Sequence, residues 1–95
     1  MTQLFILKGD GLCEPHEDTQ ELIIQAGNYF LSQLMPRRKK LEIDISIMKE
    51  LDDNAFGYTI HDTGNHFYVE IKEASTEDML TTLAHELIQI GRAHV

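Results

Sequence analysis

The sequence predicts an α+β domain: a small, mainly antiparallel β-sheet with two helices packed on it. Three observations carry this prediction. Leu41, Ile43, Ile45 and Ile47 alternate with Glu42, Asp44 and Ser46, which is the period of a half-buried strand. Apolar residues recur at helical spacing in two other stretches, residues 22–34 and 80–88, each wide enough to make one buried face. The elements follow one another as strand, helix, three strands and helix, the order of an α+β layer rather than of alternating βαβ units. The 95 residues make a single domain, 1–95, too short to hold a second core.

Each element has its own signal. Residues 4–7 are a continuous apolar run closed by Gly9-Asp10-Gly11, which reads as a brief strand. Asp18 with Glu21 forms an acidic variant of the capping box and starts a helix. In that helix Leu22, Ala26, Phe30 and Leu34 fall four apart, flanked by Ile23, Gly27 and Leu31. Pro36 ends it, because the residue before a proline is pushed out of the helical region. After the alternating strand comes a polar loop over 49–54, and then Phe56, Tyr58 and Ile60 alternate in turn. Asp62-Thr63-Gly64-Asn65 supplies turn chemistry, and Phe67, Val69 and Ile71 complete a hairpin. Ser75, with Asp78 three residues on, opens the last helix. Its apolar stripe is Leu80, Leu83, Ala84, Leu87 and Ile88, with Gly91 as the expected stop.

Charge and cysteine usage narrow the function. The net charge is −8, from 16 acidic and 8 basic side chains, and half of the basic charge is the run Arg37-Arg38-Lys39-Lys40. The remainder carries 4 basic against 16 acidic residues, which argues against general nucleic-acid binding. The basic run reads as a solvated helix-to-strand connection, with contact to an acidic partner or a phosphate as the alternative. Cys13 is the lone cysteine, so no intrachain disulfide and no cysteine-based zinc site is expected. A single thiol, no signal-peptide pattern at the N-terminus and no run of the ~20 apolar residues that span a bilayer point to a cytoplasmic, non-membrane protein. A chain of this size leaves much of its surface in water, which favours a homodimer.

The stretch that carries chemistry is Thr82-Leu83-Ala84-His85-Glu86-Leu87-Ile88-Gln89-Ile90. Two histidines four apart on a helix share one zinc ion, and a glutamate beside the first acts on the metal-bound water. His85 and Glu86 suit those roles, while Gln89 stands where the second histidine would be. His94 lies nine residues after His85, about half a turn out of phase with it on a continuous helix. The alternative reading is the solvent-facing polar side of an amphipathic helix. His61 and His66 flank the hairpin turn. They could face each other as a metal or proton site, or be two exposed loop histidines. His16 is expected in a solvated loop, and Tyr58 and Tyr68 in sheet packing. Cys13 has no basic neighbour in sequence to activate it.

Placed in order, residues 41–90 resemble the small SprT-like zinc metallopeptidases, especially versions from phages and mobile elements. The matching pieces are the strand 41–47, Phe56-Gly57-Tyr58, Phe67-Tyr68-Val69-Glu70-Ile71, and Met79-Leu80-Thr81-Thr82-Leu83-Ala84-His85-Glu86-Leu87-Ile88. The resemblance implies a zincin-like half-domain whose last helix lies against the sheet. It also implies Glu86 as a vestigial general base, with His85 and Gln89 at two metal positions. An amide oxygen is a poor zinc ligand beside an imidazole, and the family's third ligand comes from beyond the active-site helix, where this chain stops at Val95. The expectation is therefore a degenerate, HExxQ-type domain without peptidase activity or a resident cofactor, acting by binding or dimerisation. Two alternatives stay open. One is a zinc-dependent peptidase whose site is completed by Gln89 or a second subunit. The other is a plain protein-interaction module.

Overall fold

The computed structural model describes residues 2–35 and 40–93. The chain forms β1 (Thr2–Ile6), α1 (Glu17–Leu34), β2 (Leu41–Met48), a short 3-10 turn (Asp52–Asn54), β3 (Gly57–Thr63), β4 (His66–Lys72) and α2 (Thr76–Ala93). This is the predicted mixed α+β architecture, with a different sheet. The strand order is β1-β2-β4-β3, and only the β3/β4 pair is antiparallel; β1/β2 and β2/β4 run parallel. The expectation of a mainly antiparallel sheet is thus corrected. Alternation identifies a strand but says nothing of its direction. Here α1 intervenes between β1 and β2, the long crossover that a parallel pair requires. The loop after β2 likewise carries the chain past the central position, so β4 pairs with β2 and β3 is left at the edge.

Both helices cover the same face of the sheet. Leu41, Ile43, Ile45 and Ile47 of β2, with Phe67, Val69 and Ile71 of β4, are buried beneath them. From α1 the core receives Ile23 and Leu31, with Gly27 between them, and from α2 Met79, Leu83, Leu87 and Ile90. Ile23, Gly27, Leu31, Leu83 and Leu87 are buried as part of the faces expected from the sequence, but the rest of each expected stripe is not. Leu22 (47% exposed), Leu34 and Ile88 (37%) face solvent, and Phe30 and Leu80 are partly covered. Each helix is apolar over a wider arc than the sheet can cover. The sequence shows the arc, and packing selects one side of it.

Termini and turns explain the rest. His16, not Asp18, caps α1: its Nδ1 accepts from the Asp18 N–H at 3.1 Å. Ser75 caps α2 as expected, its hydroxyl accepting from the Asp78 N–H at 3.2 Å. Gly91 does not stop α2, which continues to Ala93. Pro36, Arg37, Arg38, Lys39 and His94 lie outside the described residues. The hairpin turns through Gly64 at φ 53, a left-handed conformation that glycine adopts without strain. Among the described residues no helix is long and apolar enough to cross a membrane.

Candidate functional site: the groove between β3 and the last helix

β3 presents its faces in the opposite sense to that expected. Phe56, Tyr58 and Ile60 were expected inward as an apolar alternation. Instead Gly57, Thr59 and His61 stand opposite the buried Ile71, Val69 and Phe67. Phe56 is 70% exposed and Ile60 faces solvent. The reason is the approach of α2. A Cβ on residue 57 would stand 2.6 Å from Cγ2 of Thr82, 3.1 Å from the Glu70 carbonyl oxygen and 3.2 Å from Cγ of Glu86. Only glycine lets the helix come this close to the strand. Bulky side chains on this face of β3 would lift the edge strand off the helix.

One turn along the same contact, the Thr59 hydroxyl reaches Glu86. It lies 2.7 Å from the Glu86 carboxylate and 3.3 Å from the Glu86 carbonyl oxygen. A carboxylate can only accept here, so Thr59 donates. Glu86 is therefore turned toward the strand and held there. Thr82, Glu86 and Gln89 share the helix flank that overlooks β3, while His85 sits further round on an exposed position.

A groove follows this seam. At its start it has a volume of about 550 Å³ and is walled by Phe56, Gly57, Lys72, Thr82, His85 and Glu86. A second pocket adjoins it, lined by Thr59, His61, Phe67 and Ile90, and Gly57, Glu86 and Gln89 line both. The Lys72 ammonium lies 5.9 Å from the centre of the Phe56 ring, over its face, a cation–π arrangement that keeps the ring at the mouth. Tyr58 donates its hydroxyl to the Asp52 carbonyl at 2.7 Å and so fixes the loop that delivers Phe56. Burial, then the Asp53, Asp52 and Glu70 carboxylates, push the Tyr58 phenol above its ordinary pKa.

His85, Glu86 and Gln89 thus come together on the groove wall, where they offer one imidazole, one carboxylate and one neutral amide. Among the described residues, no three His, Cys, Asp or Glu side chains form a group that could hold a metal ion. Nor does any described group hydrogen-bond the His85 ring, whereas a metal-bound histidine is normally oriented through its second nitrogen. The side chain at the second-ligand position, Gln89, offers a neutral amide oxygen.

The other histidines separate. His61 stacks on Phe67 with ring centres 4.6 Å apart and contacts the Gly64 carbonyl through Nε2 at 2.9 Å. His66 turns to the opposite face of the sheet, with Nε2 2.8 Å from Asp44 and Nδ1 3.0 Å from Asp62. They do not face each other. Donating to a carboxylate from each nitrogen requires the protonated ring, so this arrangement favours the imidazolium form of His66. The hydrogen bond to Asp44 chiefly raises its pKa and the Asp62 carboxylate adds to that, against a lowering by burial. Sequence reading missed this cluster, because Asp44 is distant in the chain and only the β2/β4 register brings it alongside.

Cys13 is a half-buried free thiol whose pKa is raised, by burial first and then by Glu73, consistent with an unactivated cysteine. No protein-family model, curated protein or solved structure matches this chain.

Proposed function

We propose that this is a metallopeptidase-like domain without hydrolytic activity, which binds an extended peptide segment along β3. One observation carries the reading: the glutamate of the His-Glu pair is engaged by Thr59 of the edge strand, with an amide at the second-ligand position. β3 is paired on one side only, so its outer edge presents backbone donors and acceptors to which a strand can add. The groove beneath it is bordered by an aromatic ring and the Gln89 amide, groups suited to side-chain selection rather than bond cleavage. The seating of α2 against the sheet supports the SprT-like, phage-related ancestry suggested by residues 41–90. The same reading includes a homodimer, and the lone thiol supports a cytoplasmic setting.

Peptide-array selection followed by amide chemical-shift mapping tests the binding role. The expected result is perturbation centred on residues 57–63 and the Gln89 side-chain amide. Selected peptides that leave those signals unmoved would overturn it. Zinc calorimetry tests the inactive reading, and stoichiometric submicromolar binding that is lost in His85→Ala would sink it. The second reading, a peptidase completed by Gln89 or by a second subunit, is favoured by the retained His85-Glu86 pair. It requires metal-dependent peptide hydrolysis that disappears in Glu86→Gln.

A further inference from the structure

α1 and α2 lie side by side and run in the same direction. Thr19 near the start of α1 bonds Thr76 at the start of α2, with their hydroxyl oxygens 3.3 Å apart. Near the other ends, a Cβ on Gly91 would lie 3.9 Å from Cβ of Leu34. Their inward sides meet the sheet. Outward they leave an apolar surface of Leu22, Tyr29, Phe30, Leu80, Ala84 and Ile88, on which Tyr29 is 62% exposed. This surface includes much of the apolar stripe that the sequence marked for burial.

Its charge pattern says what covers it. Residues 22–35 contain no charged side chain at all, and between 79 and 91 the sole formal charge is Glu86, bonded to β3 on another flank. In a chain of net charge −8 this uncharged area stands apart. A second copy brings the same −8, so self-association is favoured on a surface whose centre is uncharged, where groups near the two-fold axis meet their own symmetry mates. An unlike partner of this acidic protein would more naturally be met by charge complementarity. The other acidic residues of the helices lie toward their starts, Glu17, Asp18 and Glu21 in α1, Glu77 and Asp78 in α2. Arg92 continues the Ala84–Ile88 line into the last turn of α2.

We propose that a second copy of this chain docks face to face on the outer surface of α1 and α2, with its helices antiparallel to the first pair. That orientation sets Glu77 of each copy toward Arg92 of the other and opposes the helix dipoles, whereas a parallel arrangement gathers the acidic first turns together. The size is adequate. Two 18-residue helices span about 27 Å, and lie about 10 Å apart. With side chains this gives a face of roughly 27 by 20 Å, about 540 Å² per partner in projection, so the two partners together just clear the ~1,000 Å² of a specific interface. The inference rests on the dimer part of the proposed function and assigns its surface.

Sedimentation equilibrium of the full chain at micromolar concentration tests it. The wild type sediments as two chains. Ile88→Glu, at an exposed position, weakens association about 30-fold or more, as expected of a central contact repeated by symmetry, with the far-UV circular dichroism of the wild type. Phe5→Glu, on the open face of the sheet, leaves the dimer intact. Arg92→Glu weakens the dimer and the Glu77→Arg, Arg92→Glu double variant recovers it. A wild-type dimer that persists in Ile88→Glu, or that Phe5→Glu dissociates, overturns the assigned surface while the dimer reading stands. A monomeric wild type overturns both. Failure of the charge swap to recover association overturns the antiparallel arrangement.

Discussion

His85 and His66 sit in regions that teach opposite lessons. The groove under β3 carries the recognisable sequence motif, yet the His85 ring is exposed and no described group holds it. The hairpin end carries no motif, yet His66 is fixed through both nitrogens by Asp44 and Asp62. Neighbours in sequence on one helix supply the first pattern, whereas sheet register supplies the second. A precise polar arrangement follows from what the fold brings together, and a motif survives only where its partners are brought together as well.

The largest effect is expected at the seam that shapes the groove. Gly57→Ala places a methyl against Thr82 and the Glu70 carbonyl, and overpacking of this kind costs about 1–3 kcal/mol. Thr82→Ser removes the opposing methyl. The double variant should therefore recover part of the loss in urea denaturation, and additive losses would show that the two groups do not meet.

At the hairpin end the effect depends on pH. The folded-state pKa of His66 is raised above the ordinary 6.5, so its contribution to stability is fully present below about 6.5 and is lost as pH rises through the raised value. Melting temperature should fall over that interval in the wild type more than in His66→Gln. An NMR titration of the His66 ring should show its pKa drop in Asp44→Asn. Equal pH slopes in the two proteins would remove the distinction between the two histidines.

Smaller changes sharpen the contrast. Thr59→Val deletes the donor to Glu86 and should cost about 0.5–1.5 kcal/mol by the usual worth of such a bond. His85→Ala should alter the folding stability of the monomer by no more than about 0.5 kcal/mol, as befits an exposed side chain with no bound partner. A larger loss at His85 than at Thr59 would reverse the assignment of which residue is held.

Much of the fold was legible. Alternation in residues 41–47 and 67–71 marked the two central strands, because both bury one face completely, and Ser75 marked the start of α2. Strand direction was not legible, since period two is indifferent to it. The inward face of β3 was misjudged because a strand beside a helix is governed there by clearance, so Gly57 and Thr59 turn in while Phe56 and Ile60 turn out. On the helices, hydropathy marked the whole apolar arc but could not divide it between the core and the outer surface. For the site, the sequence placed His85, Glu86 and Gln89 on the last helix, and all three line the groove. It could not show that Glu86 is bonded to Thr59, a residue 27 positions earlier, or that the hairpin histidines part to opposite faces.

The contact of Thr59 with Glu86 also bears on how the molecule opens. An edge strand is the unit most readily released in sub-global fluctuations, and β3 is retained by β4 on one side and by its seam with α2 beneath. Its departure would expose the edge of His66-Phe67-Tyr68-Val69-Glu70-Ile71-Lys72, an aromatic and β-branched segment of the kind that templates aggregation. The Thr59–Glu86 bond acts as a latch against that excursion. Amide exchange across residues 57–63 would report its strength, and a chain lacking the latch should lose solubility before it loses its fold.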